Sequence, residues 1–291
     1  MWALLRSSFV QAELVHAVLV PAAVAMLVGV SGRALVPIAP RLGRRMASLA
    51  IPAAFLAGYF GVYSNFTFPP TTVMSWLPWF LLAFVAIEFL PDGMKRGGAA
   101  RFGQVLVSGG AAVLLLWPIL RHEALPVAAT TIAAVTVLWA FSWAATASPR
   151  VARLPFAVVL LVASMALAAA APLSGSILLG QMGASLAVAV GAAVLIARLT
   201  GIAALLDGAP AAIFILGVLL VDLRFYAGAP EAVAVGVLAS LAAGLAASAI
   251  VRRYELTGLR ALAAPVLIAL IPAAFAMAVA FKLSQAAGGG Y

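Results

Sequence analysis

Between Arg153 and Arg198 the chain runs for 44 residues without one charged side chain. A single helix of that length would reach about 66 Å, roughly twice the thickness of a bilayer's hydrocarbon core. Pro172, Ser174, Gly175 and Ser176 lie near its middle and have the chemistry of a turn. The stretch therefore predicts two membrane spans joined by a short hairpin. The rest of the chain is of the same kind. Of its 291 residues 66% are hydrophobic and 9% charged, where soluble domains carry about 25% charged residues. Lipid has to solvate that much apolar surface.

The requirement of about 20 apolar residues per span gives ten candidates: residues 14–31, 46–64, 75–91, 102–120, 124–147, 154–173, 176–197, 209–227, 230–250 and 261–281. Arg6 followed by the first run resembles a signal peptide. The run is long for one, no A-x-A-like cleavage site follows, and it is read as a retained span. The expected fold class is an all-α polytopic membrane protein, a single transmembrane domain over 1–291 with about ten transmembrane helices.

Orientation follows from the basic residues. Thirteen of the 17 Lys and Arg fall in odd-numbered connections: Arg33, Arg41, Arg44 and Arg45; Lys95, Arg96 and Arg101; Arg150 and Arg153; Arg198; then Arg252, Arg253 and Arg260. Arg6, Arg121, Arg224 and Lys282 lie on the other side. This distribution places the odd connections in the cytoplasm and both termini on the outer side, in a membrane expected to be a bacterial inner (plasma) membrane. The net charge of +9 is then a topology signal facing anionic headgroups, and nucleic acid is not an expected partner. The largest outer connection, residues 65–75, leads into Trp76 and Trp79 and reads as an extended segment with an aromatic belt, or as an aromatic platform over a pathway.

Helices in lipid associate through small residues. Gly236, Ser240, Gly244 and Ser248 make a four-residue stripe in the ninth span, Gly183, Ala187 and Gly191 one in the seventh, and Ala53, Ala57 and Gly61 one in the second. The longest stripe marks the ninth span as the expected central helix. Pro21, Pro52, Pro118 and Pro272 each free a backbone carbonyl inside or near the end of a span.

Residues 211–228, AAIFILGVLLVDLRFYAG, carry two charges, Asp222 and Arg224, inside the eighth span. A charge in hydrocarbon costs about 2.5–3.5 kcal/mol on insertion scales, so such residues pair or face a water-filled cavity. Two positions apart, they point about 200° away from each other, and Arg224 can snorkel outward. Tyr226, four residues on, shares the face of Asp222. Two readings result: Asp222 binds a cation or proton, or it pairs with a basic group on a neighbouring helix. Glu13 and His16, three residues apart, with Arg224 and Lys282 form a candidate outer polar network, and Glu231 lies nearby. Glu88 is the second candidate buried acid. Gln181 is the uncharged group most expensive to leave unpaired, as glue between helices or as part of a pathway.

The third span, LLAFVAIEFLPDG, and the eighth each carry one acid near the end of an apolar run. Treated as counterparts, they divide the chain into halves 1–150 and 151–291 of five helices each, inserted in opposite senses as in many transporters. There is no cysteine, and His16 and His122 are the only histidines. No phosphate-binding glycine motif, metal-ligand cluster or Ser-His-Asp set appears. An enzyme, a cofactor and a metal are therefore not expected. The expected function is that of a secondary-transporter-like carrier of a small solute or ion, with Asp222, Glu88, Gln181 and Tyr226 near its pathway. The alternative is a non-catalytic structural or assembly subunit of a larger membrane complex. Partners are membrane lipid and either further copies of the chain or other membrane subunits.

Overall fold

The computed structural model describes residues 14–63, 68–88, 98–146, 152–256 and 258–286, and among them there is no strand. The helices are α1 (Val15–Leu35), α2 (Pro40–Ser48), α3 (Ala50–Val62), α4 (Val73–Glu88), α5 (Gly98–Leu120), α6 (Leu125–Thr146), α7 (Arg153–Leu173), α8 (Ile177–Thr200), α9 (Ala209–Phe225), α10 (Glu231–Arg253) and α11 (Gly258–Ala286). A 3-10 turn, Ala203–Gly208, leads into α9. Within the described residues the apolar stretches read from the sequence fall mainly on helix, but the expected count of about ten spans is not confirmed. Seven helices among the described residues are long and apolar enough to cross a membrane, eight if α2 and α3 form one span bent by about 40°. The apolar parts of α4 and α6, Val73–Ala86 and Leu125–Ala140, are shorter.

The turn in the charge-free stretch is built as its residues predict. Helix α7 ends at Leu173, Gly175 takes φ +93°, and Ser176 caps α8 by accepting a hydrogen bond from the Leu179 amide. The hairpin closes tightly because Gly180 lies against Pro172 and Gly183 against the backbone of Ala168. Any side chain at those positions would push α7 and α8 apart.

Helix α9 is the centre. It touches α3, α4, α5, α6, α7, α8 and α10, and 89% of its apolar window is buried, against 61% for the next most buried span. A helix that is hydrophobic all round belongs in such a place. Phe80 and Phe84 of α4 and Trp139 of α6 surround Phe214 at ring distances of 5.2–6.4 Å. Trp139 also lies across Gly217, where a Cβ would meet its indole. The expectation that the ninth span is central is thus corrected. Its stripe is buried in full, but it fits α10 against α7 and α11: Gly244 meets Val159, and Gly236 meets Ala276 and the Pro272 carbonyl. In the second span the buried small residues are Ala50, Ala54 and Gly58, one position off the expected stripe.

The prolines organise the remaining contacts. A helical proline leaves the carbonyl four residues earlier without its amide donor and displaces that turn. Neighbouring helices supply hydroxyl groups instead. Tyr59 donates to Met74 O, four residues before Pro78, at 2.7 Å. Ser185 donates to Ala17 O, four before Pro21, at 3.2 Å. Ser240 donates to Ala269 O, three before Pro272, at 2.8 Å. Tyr226 donates to Leu115 O, three before Pro118. Each bond joins two helices near a proline: at Met74 and Ala17 it serves the acceptor that the proline leaves without its amide, and at Ala269 and Leu115 it serves a carbonyl in the turn that the proline displaces.

Several basic residues at the ends of described helices gather at one end of the bundle. Arg33 closes α1, Arg153 opens α7, Arg198 lies in the last turn of α8, and Arg252 and Arg253 end α10. At that end Arg153 pairs with Asp207 of the 3-10 turn at 2.7 Å, and Gly29 of α1 meets Leu205 and Ile196.

Candidate functional site

Asp222 lies one turn from the end of α9. Its helix ends where Gly228 takes φ +70° and lets Ala229 N–H reach back to Leu223 O at 3.0 Å. The amides of Tyr226 and Ala227 both donate to Asp222 O, at 2.9 and 3.0 Å. The backbone that carries the carboxyl group is therefore fixed. The residue is 9% exposed. Among the described residues no basic side chain pairs with it and no hydrogen bond reaches its carboxylate. Burying a carboxylate without a partner is expensive.

Arg224 behaves as its spacing predicts. It turns away from Asp222, pairs with Glu231 at the start of α10 at 3.0 Å, and holds its guanidinium 5.7 Å from the Phe225 ring centre. The Tyr226 side chain leads to α5, where its hydroxyl is engaged by Leu115 O. This contact shows which side of α9 is turned to α5. Asp222, at i−4 from Tyr226, lies on that side.

The facing side of α5 carries a residue that the sequence reading missed. Ser108, Ala111, Ala112, Leu115 and Leu116, with Leu120 at its end, are its buried positions, and the Ser108 hydroxyl is fully buried with no hydrogen-bond partner among the described residues. Ser108 is seven residues before Leu115, so it is in line with it two turns deeper in the bundle. The i, i+3, i+4, i+7, i+8 spacing of these positions was the available signal.

The other candidates are more dispersed. Gln181 is half-buried in the second turn of α8, at the same end of the bundle as Asp222, and its side chain makes no hydrogen bond among the described residues. The side chains of Glu88 and Glu13 lie outside the described residues, and with them the His16–Glu13 pair. His16 is exposed and packs its ring on Gly61. Lys282 is exposed in the last turns of α11, without an ion pair among the described residues. Of the four residues of the expected outer network, Arg224 pairs with Glu231, His16 packs on Gly61 and Lys282 has no ion pair among the described residues, while Glu13 lies outside them. No group of three or more His, Asp or Glu among the described residues is placed to hold a metal ion. Comparison with family models, curated proteins and solved structures gives no match for this chain.

Proposed function

We propose that the chain is a ten-span, secondary-transporter-like carrier of a small solute or ion, in which Asp222 takes a cation or proton within the pathway. The observation that carries this reading is Asp222 itself: a residue only 9% exposed, in the most enclosed helix, and without a basic partner among the described residues. An acid kept for assembly would be expected in a tight ion pair, as Arg224 and Glu231 are. Ser108 on α5 and Gln181 on α8 are further polar groups beside α9, and Glu88 is assigned to the same pathway from the opposite face. In this reading residues 1–150 and 151–291 are two five-helix halves of opposite sense, and the direct contact of α4 with α9 through Phe80, Phe84 and Phe214 supports treating those two as counterparts. Both termini lie on the outer side of a bacterial inner membrane.

A second reading, a structural or assembly subunit of a membrane complex, is favoured by α11. Only 22% of its apolar window is buried, which leaves Ile271 and Phe275 outward for lipid or for another subunit.

The chain has no cysteine, so single replacements report without background. Asp222→Cys should react with a water-soluble maleimide added to membranes, and blocking by a candidate substrate would place that substrate in the pathway. Asn65→Cys should label from outside and Lys95→Cys from inside. An unreactive Asp222→Cys in a protein that emerges from its membrane with fixed partner subunits in native mass spectrometry would overturn the carrier reading and leave the subunit reading.

A further inference from the structure

Helix α2 is unlike the others. It has nine residues, PRLGRRMAS, and is bent by about 40° from α3 at Leu49. Gly43 and Ala47 hold it against α1: a Cβ on Gly43 would lie 2.6 Å from Val36 N, and one on Gly32 would lie 2.7 Å from Ala47 N. With those positions fixing one side, helical geometry distributes the rest. Arg41, Arg44 and Arg45 occupy the back and one flank, and Leu42 and Met46 the other. Leu42 is 49% exposed, and Ile38, just before the helix, is 82% exposed. Arg41, Arg44 and the nearby Arg33 are exposed. Residues 14–63 contain no acidic side chain, and Asp207 in the adjoining turn holds Arg153 at 2.7 Å.

We infer that α2 is an interfacial helix that binds the phosphate of an anionic phospholipid through Arg41 and Arg44, with Leu42 and Ile38 set among the acyl chains. Three observations carry this beyond a general excess of positive charge. A basic flank and an apolar flank on one short helix match the headgroup boundary, where polar and apolar layers meet. The bend at Leu49 takes that helix out of the line of α3. The glycine contacts with α1 make its orientation rigid, so the arginines are presented in a fixed arrangement. Arginine also suits a phosphate better than lysine, because its planar fork can donate two hydrogen bonds at once. Ser48 O lies within 2.6 Å of the Cβ position of Gly208, so the lipid would be bound one element away from the entry to α9.

The test uses the full chain, delipidated in a mild detergent and titrated with phosphatidylglycerol, with phosphatidylcholine as the zwitterionic control. Native mass spectrometry counts the bound lipids. Each arginine near a charged surface contributes about fivefold in affinity, so Arg41→Gln with Arg44→Gln should weaken phosphatidylglycerol binding by about 30-fold. Arg41→Lys with Arg44→Lys should recover most of it, and a thermal midpoint equal to wild type shows that the glutamine variant is folded. Arg252→Gln with Arg253→Gln, an exposed pair at the same end, should bind as wild type does. Equal losses from the two glutamine pairs would mean that charge acts without a site. Unchanged binding by the Arg41/Arg44 variant, equal binding of phosphatidylcholine, or displacement of the lipid by millimolar inorganic phosphate would each overturn the proposal.

Discussion

The bond from Tyr59 to the Met74 carbonyl allows a quantitative test of how this bundle accommodates proline. Pro78 removes the amide that would serve Met74 O, and the Tyr59 hydroxyl serves it at 2.7 Å with both residues buried. Tyr59→Phe keeps the ring contacts with Phe55, Phe60 and Tyr63 and deletes only the donor. A buried acceptor left unpaired costs about 1–3 kcal/mol in soluble proteins, whereas hydrogen bonds between membrane helices average about 0.6 and reach about 1.7 kcal/mol. No backbone amide can replace this donor, so the upper membrane value applies, about 1.5 kcal/mol. In a Pro78→Ala background the amide of residue 78 serves Met74 O, and Tyr59→Phe should cost only a few tenths of a kcal/mol. The coupling is therefore about 1 kcal/mol. Read as thermal midpoints of the four proteins in one detergent, that is a difference of roughly 2–4 °C. Equal losses from Tyr59→Phe in the two backgrounds would refute the argument, since Met74 O would then have some other donor.

Three further outcomes follow from the packing. Gly217→Ala drives a methyl group into the Trp139 indole, nearest its Nε1, and should cost at least about 1–3 kcal/mol, while Gly110→Ala, which meets nothing within 4 Å, should gain up to about 1 kcal/mol from helix propensity; both are read as midpoint shifts. Asp222→Asn leaves no base unpaired, so it should be neutral or stabilising in the same assay; a large loss would reveal an ion pair. Gly175→Ala forces a side chain into φ +93° and should cost about 1–2 kcal/mol, measured against Ser174→Ala in the same turn.

The sequence was most legible where chemistry is local. Pro172, Gly175 and Ser176 announced the hairpin because each has a backbone role that does not depend on distant contacts. Asp222 stood out because a charge in an apolar run is costly wherever the run is placed. Centrality was not local. The Gly236–Ser240–Gly244–Ser248 stripe reports that something packs closely, and it does, but α9 is enclosed because seven helices converge on it, which no motif in its own residues encodes. Residues 40–45 read as a loop because Arg41, Gly43, Arg44 and Arg45 interrupt the apolar pattern, although Pro40 is well suited to a helical first turn. Ser108 was hidden for a different reason: a lone serine among glycines and alanines gains meaning only when its neighbours are shown to be buried around it. The proline contacts required knowing which hydroxyl sits opposite which carbonyl, and that is tertiary information.

The enclosure of α9 also sets an order of events during synthesis. Its neighbours come from both sides in sequence, with α3 to α8 made before it and α10 after it. Until residue 225 has left the ribosome, Phe80, Phe84 and Trp139 have no Phe214 to close on, and α4 and α6 must wait with their inner faces covered by lipid or by a helper. Bringing such distant segments together is the slow part of folding. Truncation before α9 should therefore leave α4, α5 and α6 as a loose, protease-sensitive group, which should become resistant once α9 is in place.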